Sequence, residues 1–133
     1  MTKRVRVCRA EKGFFGGKVN CITNMKLNRD YIAAVLNSSI IDYYYKMRNE
    51  SKHLRGGYLG FDIPSVESIP VPEAGLEVQK KLANLVDDIY ANIDDEDHVK
   101  EVKNHIDSLV YKLYNLTTRD IEMVERFKLT CEK

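Results

Sequence analysis

The sequence predicts an α+β fold: a small antiparallel β portion with a long helix, followed by a C-terminal antiparallel helical hairpin and a short final helix. The chain of 133 residues is long enough for one compact core. Apolar residues alternate with polar ones near the N-terminus, as in a half-buried strand, and from position 28 onward they recur at helical spacing. We divide the chain into a partial α+β subdomain, 1–72, and a helical subdomain, 73–133.

The β portion is predicted from three short segments. In residues 3–9, Val5 and Val7 face one side while Arg4 and Arg6 face the other. Three glycines between positions 13 and 17 supply a turn, so residues 18–23 complete a hairpin. Residues 65–69 form one further short strand before the prolines at 70 and 72 end it.

One long helix is predicted over residues 29–48. Asn28 is a suitable N-cap for it, and its apolar positions are three and four residues apart. This spacing places Tyr43 inside and turns Tyr44 and Tyr45 toward the rim, where a rim contact by Tyr45 is the alternative to core packing. The inner stripe consists of Ile32, Leu36, Ile40, Tyr43 and Met47.

Two amphipathic helices are predicted from residue 76 onward, separated by the acidic segment 94–97. Because their connection is short, they should lie antiparallel. Thr117 is the expected cap of a last helix over 118–128.

Composition indicates an ordinary globular protein, with 44% apolar and 31% charged residues. The N-terminus lacks the apolar core of a signal peptide, and no apolar run is long enough for a membrane span. We therefore expect a cytoplasmic protein without a membrane partner. Three scattered cysteines are expected to be reduced thiols: Cys8, Cys21 and Cys131.

The net charge of +1 is distributed unevenly. Residues 1–60 carry a net charge of +8, whereas residues 61–133 carry −7. A basic half of this kind suggests a polyanionic partner, although an unevenly charged solvated surface is the alternative.

Catalytic groups do not converge in the sequence. No nucleotide-binding glycine motif or nucleophile motif is present, and His98 and His105 have no third metal ligand. Glu101 and Lys103 resemble part of a nuclease motif, but Val102 belongs to an apolar helical stripe that turns them to different sides. We therefore predict no enzyme activity, no metal site and no cofactor for this chain.

The basic segment after the tyrosine-rich helix is the candidate binding site. Its cations can neutralise phosphates, its arginines and asparagine can read base edges, and a tyrosine can stack on a base. A solvated basic loop is the alternative. The candidate DNA-binding residues are Tyr45, Lys46, Arg48, Asn49, Lys52, His53, Arg55 and Tyr58.

Two stretches resemble known motifs. LNSSIIDYYYKMRNESKHLRGGYLGFDIPSVESIPVP is similar to target-recognition domains of restriction-modification enzymes, with the LNS of 36–38, the IPVP of 69–72 and Gln79 in matching order. HIDSLVYKLYNLTTRDIEMVE, 105–125, resembles the ending of TaqI-like and type IIG enzymes, with Asp120 where the family usually has glutamate. The resemblance covers about residues 27–125.

This resemblance implies the C-terminal specificity domain of an adenine-N6 DNA methyltransferase, with or without restriction endonuclease activity. It implies a fragment that binds duplex DNA and associates with the catalytic portion of the parent enzyme. S-adenosylmethionine and Mg²⁺ would belong only to that missing portion. The alternative is a helical protein-interaction module, with a homodimer formed through the C-terminal helices.

Overall fold

The protein is helical in the computed structural model, which describes residues 4–10, 19–49 and 59–131. No strand is formed within these ranges, so the predicted α+β fold with an antiparallel β portion is wrong. The helices of the described chain are α1 (Arg29–Leu36), α2 (Ser39–Arg48), α3 (Ile63–Glu67), α4 (Leu76–Ala91), α5 (Glu96–Leu113) and α6 (Thr118–Cys131).

Residues 4–10 keep the predicted alternation but do not pair with another strand. Val5 is buried and Arg6 is exposed, as expected for an extended segment on a core. Residues 19–23, the described part of the second predicted strand, form no backbone hydrogen bond within the described chain. Side chains of the helices satisfy the alternate N–H groups of residues 4–10: Val5 donates to Asp42 at 3.0 Å, Val7 to Asn37 at 2.9 Å and Arg9 to Tyr90 at 3.1 Å.

The predicted helix 29–48 is broken at Asn37 and Ser38. Ser38 has φ −70° and ψ 155°, and its hydroxyl donates to the carbonyl of Val35 at 2.6 Å. The Asn37 amide likewise donates to the carbonyl of Ala33 at 2.8 Å. Such local side-chain bonds compete with helical hydrogen bonds, which explains why the helix ends and restarts here.

The break changes which face of α2 is buried. Ile41 and Tyr45 are 1% and 0% exposed, whereas Met47 is 50% exposed and Tyr43 is only half-buried. The predicted stripe through Tyr43 and Met47, and the rim position of Tyr45, are therefore wrong. An uninterrupted period of 3.6 residues cannot be extended across a break in the helix.

Helix α3 replaces the strand predicted at 65–69. Asp62 is its N-cap and accepts a hydrogen bond from the Ser65 N–H at 2.8 Å. Pro64 lies in the first turn, where its missing N–H leaves no helical bond unmade. The sequence D-I-P-S thus begins a helix rather than a turn before a strand.

The three C-terminal helices are confirmed. Thr117 and Asp120 form a reciprocal cap at the start of α6, with the Asp120 carboxylate accepting from the Thr117 N–H at 2.9 Å. This cap lowers the pKa of Asp120. Asp95 caps α5 by accepting from the His98 N–H at 3.0 Å.

One apolar cluster unites both predicted subdomains, whose division at residue 72 stays a prediction. Helix α1 packs against α4, while α2 packs against α5 and α6. No helix of the described ranges combines the length and apolar content that crossing a bilayer requires. The cluster is centred on Tyr31, Val35, Ile41, Tyr45, Leu82, Val86, Ile106 and Val110.

Candidate nucleic-acid interface

Tyr45, the first residue of the candidate site, belongs to the core. Its ring stacks on that of Phe61 at a centroid distance of 5.0 Å, and its hydroxyl donates to the carbonyl of Gly60 at 2.8 Å. Burial raises the pKa of the Tyr45 hydroxyl. This side chain anchors residues 60–61 to α2 and is not exposed for stacking on a base.

Lys46 is also turned inward. It is 8% exposed, its ammonium lies 3.4 Å from the Asp42 carboxylate, and it sits 4.8 Å from the centroid of the Phe127 ring. The carboxylate and the aromatic face together stabilise the charge in this partly desolvated position. Lys46 therefore links α2 to α6.

Asn49 closes the end of α2. Its amide donates to the carbonyl of Tyr45 at 3.0 Å, and its carbonyl oxygen accepts from the Ser65 hydroxyl at 3.0 Å. With 5% exposure, Asn49 joins α2 to α3.

Arg48 is the exposed member among the four described candidates. Its guanidinium lies 5.9 Å from the centroid of the Tyr44 ring, at the limit of a cation–π contact. The structure thus brings Tyr45, Lys46 and Asn49 into the framework and leaves Arg48 at the surface. The remaining candidates lie outside the described residues: Lys52, His53, Arg55 and Tyr58.

The LNS motif holds the N-terminal segment against α1. The Asn37 side chain accepts from the Val7 N–H at 2.9 Å and donates to the Val7 carbonyl at 2.8 Å. A side-chain amide thereby bonds both backbone groups of one residue, as a neighbouring strand would. Leu36 and Ser38 on either side are buried.

The IPVP motif and Gln79 are bonded to the same framework. The Tyr31 hydroxyl donates to the carbonyl of Pro72 at 2.6 Å, and the Tyr114 hydroxyl donates to that of Pro70. Gln79 accepts from the N–H of the α1 cap, Asn28, at 2.9 Å. These bonds fix the segment between α3 and α4 against α1 and the end of α5.

The C-terminal motif supplies the contacts between α2, α5 and α6. Asp107 is 5% exposed and accepts from the Ser39 N–H at 2.8 Å, the Ser39 hydroxyl at 2.6 Å and the Lys128 ammonium at 3.1 Å. Tyr111 donates to Glu125 at 2.7 Å, and burial, reinforced by Asp107, raises its pKa. The residues of these motifs thus form hydrogen bonds with the surrounding helices or with one another.

Further cations of the basic half surround a groove that sequence reasoning missed as a site. This groove has a volume of about 430 Å³ and lies between residues 5–10, residues 19–25 and α1, with Arg6 and Arg29 on its border. Arg9 also lines it, but its guanidinium binds Asp30 at 2.6 Å and Asp87, which raise its pKa. The alternating sequence of residues 3–9 was the available signal, since it predicts that Arg6 faces outward.

Neither candidate histidine belongs to a metal site in the described ranges, where no group of three or more metal-ligating side chains converges. His98 instead bonds the Asp88 carboxylate at 3.1 Å, which raises the pKa of its imidazole. His105 is exposed.

Comparison with known proteins yields no relative: no family model, curated protein or solved structure matches the chain.

Proposed function

We propose that this protein is the DNA sequence-specificity module of a restriction-modification methyltransferase or endonuclease, binding duplex DNA without catalysis of its own. The observation that carries the proposal is the connected framework formed by the motif residues. Asn37 holds the N-terminal segment, while Asp107 and Tyr114 join the C-terminal helices to α2 and to the proline motif. A rigid framework with a cationic segment between α2 and α3 is suited to presenting that segment to a DNA groove.

The distribution of charge also supports the proposal. Arg48 is exposed at the end of α2, and the sequence places Lys52, His53 and Arg55 directly after it. The acidic helices occupy the other half of the sequence, where they would repel phosphates. We therefore expect the basic half to face the duplex and the acidic half to contact the catalytic portion of the parent enzyme.

Catalysis would reside in that parent portion, which would bind S-adenosylmethionine and Mg²⁺. The proposal includes a cytoplasmic location, where cellular DNA is methylated. It assigns no catalytic residue to this chain.

A salt titration of duplex binding tests the proposal. Fluorescence anisotropy of a labelled duplex should show affinity that falls steeply between about 0.02 and 0.2 M salt, with a slope near −0.9 for each phosphate contacted. Absence of duplex affinity at the lowest salt concentration would refute it.

Single substitutions then separate base reading from phosphate binding. Arg48→Ala and Arg55→Ala should each weaken sequence-specific binding by about 1 to 3 kcal/mol where the arginine reads a base. Where it holds a phosphate, binding to all sequences weakens and the salt slope falls by about 1. Lys103→Ala, which removes an exposed cation from α5, is the matched control and should leave both quantities unchanged.

The helical interaction module is the second proposal. Its surface would be the apolar stripe of α4 and α5, but Leu82, Val86 and Ile106 of that stripe are buried inside the chain. Light scattering distinguishes the two proposals, because a homodimer formed through these helices should have twice the monomer mass.

A further inference from the structure

The groove beside residues 4–10 has a backbone edge that makes no hydrogen bond within the described chain. In an extended chain, alternate residues direct their N–H and C=O groups to opposite sides. Side chains of α2, of the α1 C-cap and of α4 accept hydrogen bonds from the N–H groups of Val5, Val7 and Arg9. The backbone groups of Arg6 and Cys8 form no hydrogen bond within the described chain and so point to the other side.

Residues 19–23 and Met25 form the facing wall of the groove and make no backbone hydrogen bond in the described ranges. The side chains of Val19 and Ile22 are 59% and 43% exposed there. The two walls thus flank the groove without bonding to each other within the described chain.

The floor of the groove is apolar and is formed by the core-facing side of the fold. Ile32 and Leu36 of α1 line it, together with Phe61 and Ile69. Val5 and Val7 already pack on this side, so a strand added next to them would direct every second side chain onto the same floor.

The outward face of that added strand would lie beside cations. Arg6 is exposed and has no ion pair within the described chain. Arg29 stands on the same groove, where its Nε lies 3.5 Å from the Asp30 carboxylate, so the charge argument depends on Arg6. Opposite charges on neighbouring strands attract, whereas like charges placed opposite one another repel. A second copy pairing through this edge would place arginines of 4–10 opposite each other, so the charges favour an acidic partner.

We propose that this groove binds an extended segment of a partner protein, with alternating apolar and acidic residues, by β-addition to the open edge at Arg6 and Cys8. Backbone hydrogen bonds supply affinity, the apolar floor receives alternate side chains, and Arg6 selects acidic residues between them. This groove is a different surface from the proposed DNA contacts of Arg48 and the segment after it, and peptide binding here does not depend on those contacts.

Fluorescence anisotropy with a labelled, end-blocked heptapeptide of alternating glutamate and valine tests the proposal. The wild-type chain should bind it, and a peptide with lysine in place of glutamate should bind at least about tenfold more weakly. Arg6→Glu should reverse this preference, whereas Lys103→Glu, the control on α5, should not. No binding of the glutamate peptide, or equal binding of both peptides, would overturn the proposal.

Backbone pairing is tested separately from charge. Cys8→Pro removes an N–H that makes no hydrogen bond in the described ranges and should abolish peptide binding, whereas Cys8→Ala should bind as the wild type does. Circular dichroism shows whether each variant keeps its helices. Two further peptides, N-methylated at the valines or at the glutamates, test the pairing on the unaltered protein: one should bind and the other should not. Peptide binding that survives both methylation patterns would overturn the proposal.

Two other outcomes would also overturn it. A concentration-dependent dimer in sedimentation that Arg6→Glu strengthens would assign the edge to a second copy. Loss of duplex affinity on Arg6→Glu, with no peptide binding by the wild type, would assign the cation to DNA.

Discussion

Replacing Asn37 by alanine should detach residues 4–10 from α1. The substitution removes three hydrogen bonds, to the Val7 N–H at 2.9 Å, the Val7 carbonyl at 2.8 Å and the Ala33 carbonyl at 2.8 Å. Each is worth about 0.5 to 1.5 kcal/mol net. Because water can replace the two exposed bonds to Val7, we expect the free energy of unfolding to fall by about 1 to 2 kcal/mol. The melting midpoint should fall by about 4 to 8 °C.

Urea unfolding measures the stability change, and hydrogen exchange of the Val7 amide locates it. In the wild type this amide is bonded to Asn37 and should exchange slowly, whereas in Asn37→Ala it should exchange at a rate near that of an open segment. Asn37→Asp keeps the acceptor for the Val7 N–H but loses both donated bonds, so it should preserve part of the protection.

Asn92→Ala is the matched control. Asn92 follows α4 and, like Asn37, donates to the carbonyl four residues earlier, but its bonds stay within α4. Its substitution should leave Val7 exchange unchanged. Equal Val7 exchange in wild type and Asn37→Ala would refute the assignment of Asn37 as the clamp of residues 4–10.

Three further predictions concern the framework. Asp107→Ala should lower the free energy of unfolding by about 3 to 5 kcal/mol, because it leaves the Lys128 ammonium without this buried partner. In urea unfolding, the double variant of Asp107→Ala with Lys128→Met should lose less stability than the sum of the two single changes. Tyr45→Phe should lower stability by about 1 kcal/mol, because it removes a buried hydrogen bond of the hydroxyl. It should leave duplex affinity unchanged, since the ring is in the core. A large loss of DNA binding in a stably folded variant would contradict this. Because Asp88 raises the pKa of His98 above its unfolded value, the pair contributes stability that is fully present below about pH 6.5 and is lost as the pH rises through the folded pKa. His98→Gln should therefore destabilise at pH 5.5 more than at pH 8.5 in thermal unfolding, and an equal effect at both pH values would contradict the pair.

The sequence predicted the helices whose period is uninterrupted. Helices α4, α5 and α6 begin and end near the expected positions, because caps such as Thr117 and Asp95 coincide with a change in apolar pattern. Thr117 and Asp120 also form a reciprocal cap at the start of α6.

The predicted N-terminal strand was wrong because side chains, and not a neighbouring strand, bond the backbone of this segment. Val5 and Val7 alternate as in a strand, but their N–H groups bond Asp42 and Asn37, which lie 37 and 30 residues away in sequence. Local patterns carry no information about such distant partners. The break in the predicted helix at Ser38 could likewise not be predicted, because asparagine and serine are tolerated inside helices when their side chains face solvent.

The sequence predicted the residue types of the candidate site but not the directions in which their side chains point. Lys46 and Asn49 have the chemistry of DNA-binding residues, but the phase of α2 turns them toward Asp42 and Ser65. That phase depends on the break before α2 and could not be read from residues 39–49 alone. Arg48, by contrast, is exposed as a DNA contact requires.

A nuclear magnetic resonance titration with duplex DNA at low salt tests the central claim most directly. The backbone amide signals of Arg48 and its neighbours in the basic segment should shift with increasing duplex, while those of Lys103 and the exposed face of α5 should not. Shifts confined to α4–α6, or no shifts at duplex concentrations above those of the protein, would contradict it.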